Sequence, residues 1–145
     1  MGLTHLDAGV IIGFLDGDDS HHDTARGALA EVFDRGDRLA MAASALAECL
    51  VGPARRDQEA VDLVRTMIDR LPVSIVDLDA TIATRAAVLR ARHRMLKLPD
   101  AVVLATASTS EADRLITTDR KWPTAKSMKL DIVIDQISAS RFRRS

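Results

Sequence analysis

Leu96-Lys97-Leu98-Pro99-Asp100-Ala101-Val102-Val103-Leu104-Ala105-Thr106-Ala107 is the run around which the rest of the chain is read. Pro99 ends any helix arriving from upstream, and its fixed φ suits it to open a new one. Ala101 to Ala107 are all apolar or small, so the helix they form must be largely buried. Asp100 therefore falls in the first turn of a core helix, at the positive end of its dipole, where a carboxylate is expected to stay ionised. Taken alone, such an acid is an ordinary helix-start residue. Its weight comes from three other acids that repeat the arrangement.

Working outward, short apolar runs alternate with helical patterns. Leu3 to Leu6 reads as a strand closed by Asp7, followed by a short buried helix in Ala8-Gly9-Val10-Ile11-Ile12-Gly13-Phe14-Leu15. Gly17-Asp18-Asp19-Ser20 reads as a turn and cap. From His21 to Arg35 the apolar positions fall three and four apart, which makes an amphipathic helix. Leu39 to Ala42 is a second strand. Ser44 is then expected to cap a helix that carries Glu48 and stops at Gly52-Pro53. Arg55 to Arg70 is another amphipathic helix, and Val73 to Val76 a third strand. Asp79 opens a helix that ends in Arg90-Ala91-Arg92-His93-Arg94. Beyond the Asp100 helix, Arg114 to Thr118 is a fourth strand closed by Asp119, and Leu130 to Ile134 a fifth. Short buried strands separated by helices predict an α/β fold with a parallel sheet of four or five strands covered on both faces.

The chain has 145 residues, room for one domain. Its 20 basic and 21 acidic residues nearly balance, so binding to nucleic acid would have to come from a local patch rather than from net charge. The single cysteine, Cys49, excludes an internal disulfide or a cysteine-based zinc site and fits a reducing cytoplasm. Neither a signal peptide nor a spanning helix is expected. The organisation read from the sequence is one domain over 1–137 and a basic tail over 138–145.

Asp7 and Asp119 each follow a strand, Glu48 lies one turn into the helix after the second strand, and Asp100 opens the helix before the fourth. Ligands of open α/β sheets bind at the carboxyl ends of the strands, so all four acids are expected to converge on one edge. Each has a plainer reading. Asp7 could cap its helix, Asp119 could be a turn residue, and Glu48, among apolar neighbours, would be a costly buried carboxylate if unpaired. Carboxylates brought together repel and raise one another's pKa unless a cation lies between them. Hard oxygen donors with no His or Cys suit Mg²⁺ or Mn²⁺, and the chemistry such a site supports best is phosphoryl transfer to water.

The set Leu6-Asp7, Ala47-Glu48-Cys49-Leu50-Val51-Gly52, Leu98-Pro99-Asp100-Ala101 and Leu115-Ile116-Thr117-Thr118-Asp119 resembles the PIN domain, and more narrowly the VapC toxins of VapBC toxin–antitoxin pairs. The resemblance covers nearly the whole chain. It implies a PIN-like α/β/α sandwich and a Mg²⁺-dependent cytoplasmic endoribonuclease, dimeric and inhibited by a VapB antitoxin. Asp7, Glu48, Asp100 and Asp119 match the family's acidic positions, as catalytic groups and metal ligands. Thr117 matches a hydroxyl residue that often stands two before the fourth acid, and Trp122 an aromatic that often follows it. One position departs: the family commonly has Ser or Thr two residues after the first acid, and here it is Gly9. A hydroxyl that could orient the carboxylate or a bound water is missing. The alternative expectation is therefore a binding module of the same fold that no longer cleaves. A phosphoaspartyl receiver fits less well, because Asp7-Ala8-Gly9 lacks an acidic pair.

Arg90, Arg92, Arg94 and Lys97 run directly up to Asp100, and Arg120 and Lys121 follow Asp119. They read either as a solvated helix end complementing its dipole or as a phosphate-gripping rim. Arg94, Lys97 and Arg120, with Thr117, are the expected substrate contacts. Three Phe, one Trp and no Tyr provide no base-stacking platform, so folded RNA recognised by shape and phosphate fits best. His21 and His22 are adjacent and do not share a helix face, which argues against a two-histidine metal site.

Overall fold

Ala8 to Leu15 is apolar enough to be strand or helix, and the structure resolves it as a helix that Asp7 starts. In the computed structural model, which describes residues 2–139, the elements run β1 (Leu3–Leu6), α1 (Ala8–Leu15), α2 (His22–Arg35), β2 (Arg38–Ala42), α3 (Ala43–Ala54), α4 (Gln58–Asp69), β3 (Val73–Val76), α5 (Ala80–Arg92), α6 (Leu98–Thr109), β4 (Arg114–Thr117) and β5 (Val133–Gln136). Arg141 to Arg144 of the expected basic tail lie outside the described residues.

The five strands form one sheet in the order β3-β2-β1-β4-β5, every neighbouring pair parallel. Six helices flank it as an α/β/α sandwich. The chain builds outward from β1 through β2 to β3, then returns to lay β4 on the other flank of β1. That reversal opens a crevice between the carboxyl ends of β1 and β4, the place where open sheets bind ligands. No helix among the described residues is long and apolar enough to cross a membrane.

α6 is the buried axis that its composition predicts. Ala101 through Ala107 are all buried, and α5 packs along the helix. Thr106, the one hydroxyl in that run, donates to the Val102 carbonyl at 2.7 Å, so no polar group is stranded. Pro99 sits in the first turn, where its missing N–H costs no hydrogen bond.

Several boundaries differ from expectation. β2 passes straight into α3 with no intervening turn, so the cap position is Ala42 and Ser44 lies inside the first turn, its hydroxyl buried without a hydrogen-bond partner. α3 also runs through Gly52-Pro53 to Ala54. Pro53 has no N–H to offer the Cys49 carbonyl and the helix ends one residue later, where Arg55 closes it by donating to Val51 and Gly52. α4 begins at Gln58 rather than Arg55, because Asp57 caps it by accepting from the Ala60 N–H at 2.7 Å. β5 lies at Val133–Gln136 instead of Leu130–Ile134. Its register is set by the pairing of Arg114 with Val133, and Ile132 is spent on the core before the strand begins.

Candidate active site

β1 and β4 deliver their acids in one constrained unit. Asp7 follows β1 and is 7% exposed. Its backbone N–H donates to the Ile116 carbonyl at 3.0 Å, continuing the ladder one residue past the strand. One carboxylate oxygen accepts from the Ala8 N–H at 2.9 Å, and the other from the Thr117 hydroxyl at 2.8 Å. The Thr117 oxygen in turn accepts from the Asp119 N–H at 3.0 Å, and a carboxylate oxygen of Asp119 accepts from the Lys121 N–H at 2.7 Å. Thr117 is fully buried. Expected among the substrate contacts, it is instead a tie between two acids, because its hydroxyl is engaged on both sides.

The other two acids come from helices and are held more loosely. Asp100 is half-buried in the first turn of α6, beside Lys97 at the cap position. Glu48 is exposed on α3. The expectation of a buried Glu48 is corrected: Cys49 turns inward in its place, its thiol directed to the Ala8 carbonyl at 3.8 Å. Ser44 stands four residues before Glu48, on the same helix face.

Three of the four acids are pushed up from their ordinary values, each in part by the charge of another. Burial pushes the Asp7 carboxyl up from its ordinary value, the Thr117 and Ala8 hydrogen bonds offset part of that, and the charge of Asp119 adds to it. Glu48 is raised by desolvation and by the charges of Asp7 and Asp100. Asp100 is raised by desolvation and by Asp7 and Asp119, with Trp122 and Lys97 opposing. Burial and the like charges of Asp7 and Asp119 thus push Asp100 in the direction opposite to the pull expected at a helix start. The Trp122 indole N–H is buried and outside hydrogen-bond geometry to any partner. Its influence on Asp100 is that of a nearby donor rather than a formed bond. Cys49 is pushed up to about 12 by burial and by Asp7 and Glu48, so its thiol stays protonated and is no nucleophile.

Among the described residues no group of three or more His, Cys, Asp or Glu is arranged to hold a metal ion by itself. The donor set still fits Mg²⁺ or Mn²⁺. Such ions usually keep several waters and take only one or two carboxylates, with substrate phosphate completing the shell. A cation here would also relieve the repulsion that raises Asp7, Glu48 and Asp100. Arg94, Lys97 and Arg120 are all exposed, on the loop before α6, at its cap position and just after Asp119.

The PIN domain sequence pattern matches residues 5–127. The chain belongs to the PIN domain family. A comparison with curated proteins finds no match. Among solved structures the PIN fold recurs in VapBC2 from Rickettsia felis, bound to a DNA fragment from its promoter. There the TM-score is 0.71 at 15% identity, covering 95% of this chain and 99% of that one. A toxin–antitoxin complex from Klebsiella pneumoniae matches with a TM-score of 0.63 at 26% identity, covering 81% and 88%. VapC20 from Mycobacterium tuberculosis, a Sarcin-Ricin loop cleaving toxin, matches with a TM-score of 0.63 at 16% identity, covering 77% and 86%. The VapC-type resemblance read from the sequence agrees with these neighbours. Trp122 is the residue whose part the sequence only hinted at, since nothing local marks a buried indole next to an acid two elements away.

Proposed function

We propose that this PIN domain is a Mg²⁺- or Mn²⁺-dependent endoribonuclease, the toxin of a pair whose partner is a VapB-type antitoxin. The observation that carries the reading is the gathering of acids at the switch point of the sheet, where the charge of Asp7 pushes up Glu48 and Asp100 and the charge of Asp119 pushes up Asp7 and Asp100. A charge-repelling cluster in that crevice is costly unless it serves a cation and substrate. The toxin–antitoxin neighbours support the partner, and the loop-cleaving activity of one of them supports RNA as substrate. A cytoplasmic homodimer follows from the same resemblance.

A divalent cation, when bound, lowers the pKa of a coordinated water and neutralises charge on the phosphate. The chain's own residues supply orientation. Asp7 is fixed by Thr117 and Ala8 and presents its carboxylate from a rigid strand end. Asp119 is held in step with it through the same hydroxyl. Asp100 would be a further oxygen donor to the cation, and Glu48, solvent-facing, would orient the attacking water or accept its proton. Arg94, Lys97 and Arg120 grip flanking phosphates, and Arg does so in the fork geometry that suits them.

The test is cleavage of total cellular RNA by the purified protein with Mg²⁺ or Mn²⁺ against EDTA, with Asp100→Asn in parallel. Discrete metal-dependent fragments that vanish in a folded Asp100→Asn variant are expected. A fully active variant would sink the assignment.

A further inference from the structure

Gly9 is an unfavourable residue within a helix, because glycine loses more conformational freedom on folding than any other residue. The structure supplies a steric reason for it. A Cβ placed on Gly9 would collide with the Thr118 hydroxyl and stand 3.3 Å from both Thr118 Cβ and Cγ2. A side chain at Gly27 or Gly52, by contrast, would meet nothing within 4 Å. The Thr118 side chain therefore fills the space that a side chain two residues beyond Asp7 would occupy, with its hydroxyl foremost.

The location is specific. Asp7 is the cap of the helix that Gly9 belongs to, and Thr118 lies between Thr117 and Asp119, the two residues tied to Asp7. Thr117 has its hydroxyl committed on both sides, whereas Thr118 is only half-buried. Valine would fill the same volume more cheaply in a purely packing role, since a hydroxyl gains nothing from an apolar contact. We propose that Thr118 is a positioning residue whose hydroxyl, seated against Gly9, orders the water layer of the cation held at Asp7. In this chain the hydroxyl missing at position 9 is delivered from the end of β4 instead of from α1. The proposal rests on the metal-dependent reading above.

Mn²⁺ binding by calorimetry, alongside thermal melting in EDTA, separates the two. Thr118→Val is expected to keep the melting temperature while weakening Mn²⁺ binding roughly tenfold, the scale seen when an outer-shell partner of a metal is lost. Thr118→Ser, which keeps the hydroxyl, should bind within about twofold of the parent. Gly9→Ser alone should lower the melting temperature, because the two side chains claim one space. Gly9→Ser with Thr118→Gly should recover both melting and Mn²⁺ binding. Unchanged Mn²⁺ binding in Thr118→Val would overturn the proposal while leaving the metal-dependent reading intact. A parent protein that binds no Mn²⁺ would overturn both.

Discussion

The strand-borne and helix-borne halves of the candidate site are built on different terms. Asp7 and Asp119 sit at the ends of paired strands, bound to each other through the Thr117 hydroxyl. Glu48 and Asp100 arrive on α3 and α6, more exposed, with no hydrogen bond of that kind tying them to the strands. One half is rigid because every oxygen of Asp7 has a partner; the other is free to move toward a cation and its waters. A site so divided can hold a fixed first carboxylate and still let the remaining donors adjust as substrate enters.

The largest break of that contrast is at Asp7. Asp7→Asn keeps the shape of the side chain but removes the charge and replaces one of its two accepting oxygens with an amide nitrogen, and RNA cleavage should fall by at least about 10³-fold, equivalent to about 4 kcal/mol. Stability in EDTA should rise, because the variant relieves the repulsion that raises Asp7, Glu48 and Asp100. Urea denaturation measures that gain, and it should shrink when Mg²⁺ is added. A variant less stable than the parent in EDTA would show that the acids do not strain one another.

Two residues earlier on the same strand, His5 gives the opposite case. It is 1% exposed, both ring nitrogens lack partners, and burial lowers its pKa from 6.5 to about 4. In that window the unfolded chain binds a proton that the folded chain refuses, so the His5 contribution to stability falls as pH drops from about 6.5 to 4. Raised carboxylates act with the reverse sign, taking up protons in the folded state. Comparing urea denaturation of the parent with His5→Leu isolates the histidine. The stability of the parent relative to the variant should drop by up to about 3 kcal/mol between pH 7 and 4. A pH-independent difference would mean that the imidazole is already protonated or solvated.

The smallest effect sharpens the comparison most. Thr117→Val preserves shape, but it leaves an Asp7 oxygen and the Asp119 N–H without their partner. It should cost about 1–3 kcal/mol by urea denaturation. Glu48→Gln, on an exposed helix face, should stay within about 0.5 kcal/mol of the parent in the same experiment, while still lowering cleavage. Equal stabilities for the two variants would remove the distinction between a rigid and an adjustable half.

The fold was largely legible because its strongest signals are local. Seven consecutive small or apolar residues after Pro99-Asp100 leave few options but a buried helix, and β1 to β4 lie within a residue or two of their expected positions. Boundaries failed where a neighbour set them. Ser44 had the right chemistry for a cap, but β2 continues to Ala42 and the helix begins before it. Leu130 and Ile132 look like strand residues, yet pairing with Arg114 starts β5 only at Val133. The acids themselves could be picked out in order. Their division into tied and loose could not, because it depends on which hydroxyl meets which carboxylate 110 residues away.

The sequence by itself determined the alternation of short strands and helices, the buried α6 and the four acids at strand ends and helix starts. Periodicity and hard steric rules act over a few residues, and all of these features follow from them. Only the tertiary structure decided that Glu48 faces solvent, that Thr117 is a tie rather than a substrate contact, and that Thr118 occupies the space beside Gly9. The last two outcomes depend on β4 lying against β1 and on α1 starting at their shared end, and the first on α3 turning Cys49 rather than Glu48 toward α1. No local pattern encodes the distance between two segments that meet only when the sheet closes.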